Sequence, residues 1–389
     1  MTAGNINSIA DKSWCQRQYG FLRWTQMYIT FQNSAKAPSA QTYVETLFDE
    51  VPSAKNAVSG KLAIVTGVTQ GGTGYYMAEE LALSAEMGVI LMGRSSQKLQ
   101  DAAQAMTAEA KKRGKPNPKL YQVQLDLNSL KSAVTAAEEA SKIAKEDYGG
   151  KVHILINNAG VMAPKYEPTE DGIEPNVGRN FLAPHVLTDK LLPPLRAAAT
   201  ESYKPRIVFV ASMAHALGTD VDPDKLMANP AEGGGPESAF RRENSSVVDF
   251  TGFFSAVGMY SRSKFGNVCE AIALAKREPK LNVTSHHPGS VLTNFRHQLG
   301  LSGAIYFYLF YMFQFGPSQG ARAALRAALD PDFNTDDRLQ GAYLHADGNP
   351  WVPADPTVKD PLTNEPYTLS EFAEKIYIAA HELSEKLVK

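Results

Sequence analysis

The sequence predicts an α/β fold, a doubly wound parallel sheet in a single domain with N- and C-terminal appendages. Three observations predict it. Short, continuously apolar runs recur through the middle of the chain, each separated from the next by a helix-compatible stretch. A glycine-rich string follows the first of these runs directly. The 389 residues are 43% hydrophobic and 21% charged, an ordinary globular composition that excludes a wholly disordered or fibrous chain. Continuous apolar strands are buried on both faces, and intervening helices make them parallel.

Taken in order, residues 1–57 form an aromatic-rich N-terminal appendage. Trp14, Tyr19, Phe21, Leu22, Trp24, Met27 and Tyr28 crowd one helix-compatible stretch, and 33–40 reads as a linker. Residues 62–65 are the first strand, 76–87 a helix, and 89–92 the second strand. A charged-face helix follows at 97–112, and a third strand at 120–125. Strands at 152–156, 206–210 and 281–285 alternate with helices at 177–198 and 257–277. Residues 216–256 interrupt the rhythm as an insertion. The principal domain runs over 58–348, and 295–330 is a substrate- or membrane-facing segment. The tail 349–389 is proline-rich and closes on an amphipathic helix over 369–387.

Charge and cysteine content narrow the function. Lys and Arg number 39 against 41 Asp and Glu, a net charge of −2, with no basic excess for a nucleic-acid face. Cys15 and Cys269 are too few and too distant for a disulfide framework or a zinc site. His286-His287 lack a Cys or carboxylate at ligand spacing, so no metal is expected and the pair reads as local structure. The N-terminal residues carry no secretory pattern, and no run reaches the about 20 apolar residues that span a bilayer. The expected location is intracellular, cytoplasmic or peripheral on an organelle membrane.

The first strand leads into Thr66-Gly67, then Gly71, Gly72 and Gly74, and then a helix. Such a loop turns tightly and lets the backbone approach a pyrophosphate, while the helix N-terminus offers free N–H groups. This Rossmann-like placement predicts a dinucleotide. A carboxylate after the second strand would bind the NAD ribose, but this chain has Arg94, suited to a 2′-phosphate. NADP(H) is therefore the expected cofactor.

Tyr260 and Lys264, four residues apart, share one helical face. A cation beside a phenol lowers its pKa toward a value useful for proton transfer. Three motifs at carboxyl ends of strands support this pair: Asn157-Asn158-Ala159-Gly160, Ala211-Ser212, and Pro288-Gly289 with Val291 and Thr293.

With these motifs in this order, 58–348 resembles the short-chain dehydrogenase/reductase family. The resemblance implies that Tyr260 exchanges the proton and Lys264 holds the nicotinamide ribose and lowers the Tyr260 pKa. It implies that Ser212 bonds the substrate oxygen and that Asn180 organises a water relay behind Lys264. Asp126 would lie near adenine and Asn158 near its ribose, with Pro288 and Thr293 completing the cofactor set. The glycine loop is one residue longer than the family's, which leaves Gly71 and Gly72 as alternatives for the pyrophosphate. Ala211 stands where a second Ser is usual. The long insertion between Ser212 and Tyr260, and the stretches 221–224, 288–294 and 315–320, are nearest to retinol-dehydrogenase-like and plant FOREVER YOUNG-type members.

The segment 304–315 is rich in Tyr and Phe, including Tyr306, Phe307, Tyr308, Phe310, Tyr311, Phe313 and Phe315. It reads as the lining of an apolar pocket, as an interfacial membrane contact, or as core or a dimer contact. The expected function is an NADP(H)-dependent oxidoreductase acting on a small hydrophobic alcohol, aldehyde or ketone. A non-catalytic scaffold or nucleotide-sensing subunit is the alternative. A peripheral membrane contact, a homodimer and a larger assembly are all left open.

Overall fold

A computed structural model describes residues 37–163, 167–219, 250–291, 315–356 and 367–388, the side chains of 250–256 excepted. The aromatic stretch 14–28, most of the insertion, Thr293 and the aromatics of 304–314 lie outside the described residues.

The strands are β1 (Leu62–Thr66), β2 (Gly88–Gly93), β3 (Leu120–Gln124), β4 (Ile154–Asn157), β5 (Arg206–Val210), β6 (Asn282–His286), β7 (Tyr343–Leu344) and β8 (Pro350–Trp351). Together they make one sheet in the order β3-β2-β1-β4-β5-β6-β7-β8. All neighbours pair parallel except β7 and β8. The chain reverses its direction of winding between β1 and β4, and the crevice at the carboxyl ends of these strands is the ligand position of such sheets. Every residue of β1 and β5 is buried, which is why those runs read as continuously apolar.

Helices cover both faces. On one side lie α1 (Ala40–Glu50), α2 (Pro52–Val58), α3 (Thr73–Leu83), α4 (Ser96–Lys112) and, later in the chain, Arg322–Leu329. On the other lie α5 (Leu130–Asp147), α6 (Ala183–Ala198), α7 (Phe250–Arg277) and the C-terminal Leu369–Leu387. The Arg322–Leu329 helix is α8 and the C-terminal one is α9.

Several elements differ from the sequence reading. The helix expected at 76–87 starts at Thr73 and ends at Leu83, because Gly72 caps it directly after the glycine loop. Residues 40–58, given no secondary structure in the sequence reading, form two helices. Ser39 caps α1 by accepting from Thr42 N, and Val44, Leu47 and Phe48 are buried at helical spacing in the core over the sheet. The unanticipated α5 packs through Ala133, Ala136, Ala137, Ala140 and Ala144, all buried. An alanine face carries a weak hydrophobic signal, yet it lets the helix lie close against α6. The helix at 369–387 stands where the sequence placed it. A reciprocal Thr368–Glu371 capping box starts it, and Phe372, Ala373, Ile376 and Ala380 bury its apolar stripe in the α5–α7 core.

Candidate active site

The glycine loop is built by close approach. Gly67 has φ +74°, and a Cβ there would come within 2.7 Å of the Ala159 Cα. Its N–H donates to the Met92 carbonyl at 2.8 Å, tying the loop to the end of β2. The Thr66 hydroxyl accepts from the N–H groups of Asn158 and Ala159 at 3.0 and 2.9 Å, which fastens the end of β1 to the loop after β4. Asn158 Nδ2 donates to the Thr66 carbonyl at 2.8 Å. A Cβ on Gly74 would sit 2.4 Å from that same amide nitrogen. Asn158 thus clasps the glycine loop through its amide nitrogen, a contact the sequence reading did not anticipate. The Thr66 hydroxyl is the positioning group that the sequence reading passed over, and its signal was the Thr-Gly start of the loop.

Gly71 and Gly72 do different jobs. Gly71 has φ +76° and open space where a Cβ would be, so it makes the turn and leaves its outer side clear. Gly72 is the N-cap of the 11-residue α3. Open space beside a positive-φ glycine, next to a helix N-terminus, suits the pyrophosphate of a dinucleotide.

Ser212, Tyr260, Lys264 and Asn180 come together at the carboxyl side of β4 and β5. Ser212 follows β5, with its hydroxyl accepting from Ala214 N at 3.1 Å. The Ser212 and Tyr260 hydroxyls are hydrogen-bonded. Lys264 is buried one turn along α7 and donates to the Val210 carbonyl at 2.7 Å. Its ammonium lies 5.8 Å from the centre of the Tyr260 ring. Asn180 sits in a π-helical turn, Gly178–Leu182, that precedes α6. Such turns are inserted where a side chain or carbonyl must be redirected. Here Asn180 Oδ1 accepts from Val161 N at 2.7 Å, while Nδ2 donates to the Val161 carbonyl and to Ser263 Oγ at 2.8 and 3.0 Å. Gly160 makes room for both partners. A Cβ there would be 3.2 Å from Lys264 Nζ and 3.3 Å from Asn180 Oδ1.

The electrostatics differ from the expectation that Lys264 lowers the Tyr260 pKa. Burial pushes the Tyr260 phenol up to about 12, and the Ser212 hydrogen bond works against that rise without reversing it. Burial also pulls Lys264 down to about 7. The ammonium points to a carbonyl rather than to the phenol oxygen, so in this arrangement desolvation outweighs attraction between the two.

The remaining described candidates follow the carboxyl ends of β2, β3 and β6. Arg94 is exposed at the carboxyl end of β2, where its carbonyl accepts from Gln124 Nε2 at 3.0 Å. Asp126 follows β3 and accepts from Asn128 N at 3.0 Å. Pro288 and Gly289 follow β6, with Gly289 at φ +86° and the Phe315 ring lying where a Cβ would stand. Phe315 N donates to the Ser290 carbonyl at 2.8 Å, which ties Phe315 to this loop. His215 is a further residue that sequence reasoning missed, since nothing near it in sequence marks it. Its Nδ1 donates to the Ser212 carbonyl at 2.8 Å, and its Nε2 accepts from Ala354 N at 3.1 Å. This buried imidazole is therefore neutral, with its pKa pulled down to about 4 by burial.

Comparison with known proteins agrees with the fold. The short chain dehydrogenase family profile matches residues 61–221. An uncharacterised oxidoreductase of Schizosaccharomyces pombe is 34% identical over 77% of this chain and 79% of its own. Mouse retinol dehydrogenase 12 is 32% identical over 76% of this chain and 80% of its own. Among solved structures, an uncharacterised Mycobacterium paratuberculosis protein superposes with a TM-score of 0.54 at 24% identity, covering 85% of this chain and 97% of that one. That likeness is one of fold. With the sheet order, the sequence of motifs and these relatives on the page, the chain belongs to the short-chain dehydrogenase/reductase family and is an oxidoreductase close to its retinol-dehydrogenase-like members.

Proposed function

We propose that this protein is an NADP(H)-dependent oxidoreductase that interconverts a hydrophobic alcohol and its aldehyde or ketone, with Tyr260 exchanging the proton. The observation that carries the proposal is the convergence of the Ser212–Tyr260 hydrogen bond, buried Lys264 and the Asn180 π-turn beside a glycine loop. The dinucleotide supplies the hydride, and the chain supplies position, exclusion of water and proton transfer.

Gly67, Gly71, Gly72 and Gly74 shape the pyrophosphate loop, with Asn158 holding its geometry. Exposed Arg94 would take the 2′-phosphate, and Asp126 and Pro288 would contribute to the cofactor site, with Thr293, outside the described residues, assigned to it by the resemblance alone. Lys264 has one donor committed to Val210, which leaves two N–H groups for ribose hydroxyls. Ser212 and Tyr260 present adjacent hydroxyls to a carbonyl oxygen. As that oxygen gains charge, a neutral Tyr260 with a pKa held near 12 is a proton donor throughout the neutral range. Reduction therefore suits this arrangement as it stands. Oxidation needs the phenol lowered, which a charged Lys264 close to its oxygen would do.

The hydrophobic substrate rests on the aromatic segment 304–315 and on the retinol dehydrogenase relative. No helix among the described residues is long and apolar enough to cross a membrane. A peripheral contact through the aromatic segment remains the proposed mode of meeting a lipid-like substrate. Paired fluorescence titrations with NADPH and NADH, followed by turnover of decanal against a small polar aldehyde, test the proposal. Tighter NADPH binding and preference for decanal are expected. Tighter NADH binding would overturn the cofactor assignment, and preference for the polar aldehyde would overturn the substrate class.

A further inference from the structure

The turn that carries Ser212 is organised around one residue, His215. Ser212 follows β5 with extended backbone, φ −155° and ψ 153°, and caps the short 3₁₀ turn Met213–Leu217. Its carbonyl accepts twice from the same residue, from His215 N at 3.1 Å and from His215 Nδ1 at 2.8 Å. The His215 carbonyl accepts in turn from Gly218 N at 2.9 Å, so His215 ties both ends of the turn. Gly218 lies directly against the α7 backbone. A Cβ there would collide with the Ser261 carbonyl and the Arg262 nitrogen, which stand between Tyr260 and Lys264 in the chain.

The imidazole is held at both nitrogens. Nδ1 carries the proton, because a carbonyl only accepts, and Nε2 is bare, because it accepts from Ala354 N at 3.1 Å. The buried ring lies 4.6 Å from the Tyr343 ring and stacks 6.4 Å from Phe265, the residue after Lys264. With both nitrogens committed, His215 is unsuited to exchange a proton itself. What it controls is the path of the main chain at Ser212. The Ser212 hydroxyl accepts from Ala214 N at 3.1 Å inside the same turn, so any shift of the turn carries the hydroxyl with it. A single bond from residue i+3 is the ordinary closure of such a turn. The second donor, from the ring, fixes the direction of the carbonyl as well.

We propose that His215 is a positioning residue for the reaction. Its Nδ1–H holds the Ser212 carbonyl and thereby sets the Ser212 hydroxyl against Tyr260, while Nε2 fastens the turn to the C-terminal tail at Ala354. The proposal rests on the reading of Ser212 and Tyr260 as the pair that meets the substrate oxygen. The tail after β8 thus reaches the reacting groups through one side chain, although it supplies none of them.

Two amides separate the two bonds. The Asn amide nitrogen stands one bond from Cγ, as Nδ1 does, and the Gln amide oxygen stands two bonds away, as Nε2 does. His215→Asn therefore keeps a donor for Ser212 and gives up the Ala354 bond, and His215→Gln does the reverse. NADPH oxidation with decanal is followed in both, beside Tyr260→Phe, with NADPH affinity and melting temperature measured on each. His215→Asn is expected to hold kcat within about threefold of wild type and His215→Gln to lower it by about 10–100-fold, the scale of a displacement of up to ~1 Å at a reacting group. NADPH affinity is expected to stay level in both. His215→Phe keeps the ring against Tyr343 and Phe265 and drops both bonds; it is expected to match His215→Gln, and it replaces that variant should His215→Gln not fold. A purely structural role predicts that kcat follows the melting temperature rather than the donor. Equal kcat in the Asn and Gln variants, or a greater loss in the Asn variant, beside an inactive Tyr260→Phe would overturn the proposal and leave the catalytic assignment standing. If Tyr260→Phe leaves turnover intact, or the wild-type protein turns over no NADPH, the catalytic assignment falls and the role of His215 falls with it.

Discussion

Gly74→Ala isolates the clasp between the glycine loop and the loop after β4. Gly74 lies in the first turn of α3, where Ala is ordinarily preferred by up to about 1 kcal/mol. Here the added methyl would sit 2.4 Å from Asn158 Nδ2 and 2.9 Å from the Gly67 carbonyl. The amide must leave, which forfeits its 2.8 Å bond to Thr66, worth about 1 kcal/mol. The backbone clash with Gly67 remains and adds about 1–3 kcal/mol of overpacking. The net expectation is a loss of ~1–3 kcal/mol in stability, read as a lower urea midpoint. NADPH affinity is expected to fall by about tenfold or more, equivalent to ~1.4 kcal/mol, because the loop that faces the pyrophosphate is displaced. Adding Asn158→Ala removes the nearer clash, so the double variant is expected to be less impaired than the two single losses combined. Wild-type stability and affinity in Gly74→Ala, or strict additivity in the double variant, would refute the clasp.

Other outcomes follow from the same structure. Arg94→Ala is expected to weaken NADPH binding by about 10–100-fold, the value of a charge-assisted phosphate contact, while NADH affinity stays level; equal effects on both would remove Arg94 from the 2′-phosphate. Phe372→Ala takes a fully buried ring from the α9 face that packs on α7, and a loss of about 3–5 kcal/mol should show in urea unfolding. A loss under 1 kcal/mol would mean that α9 is dispensable to the core. Acid stability has a worked sign. Burial lowers His153, His215 and His286 from 6.5 to about 4, so between these values the unfolded chain binds protons that the folded chain refuses. Stability therefore declines as pH falls through that window, with His185, raised beside Glu270, acting in the opposite sense. The melting temperature should drop steadily from pH 6.5 to 4, less steeply in His153→Asn; a flat profile would contradict the burial of these imidazoles.

The sequence carried the architecture because each buried strand announces itself. β1, β4 and β5 are apolar on both faces, and a run such as 206–210 has no other economical reading. Tyr260 and Lys264 were marked by their four-residue spacing and Ser212 by its place after a strand, whereas Asn180 was named only through the family resemblance. What stayed hidden was long-range. The α5 helix buries alanines, which periodicity barely registers, and α1 was masked by the Pro and Ser residues that precede it. Asn158 was placed near a ribose by the resemblance alone, and its bond to the Thr66 carbonyl, from another strand, left no mark in the sequence. The Tyr260 pKa ran opposite to expectation for a related reason. Four-residue spacing puts Lys264 near the Tyr260 ring, but the Val210 carbonyl, from a different element, decides where the ammonium points. His215 reaches the Ser212 carbonyl and the Tyr343 ring from separate segments, and no local pattern marks it.

The most direct test of the central claim is NADPH oxidation with decanal by wild type and Tyr260→Phe, with NADPH affinity measured on both. The account predicts a loss of turnover of about 10²–10⁴-fold in the variant, the scale of general acid catalysis, at unchanged cofactor affinity. Equal turnover in the two proteins would contradict it.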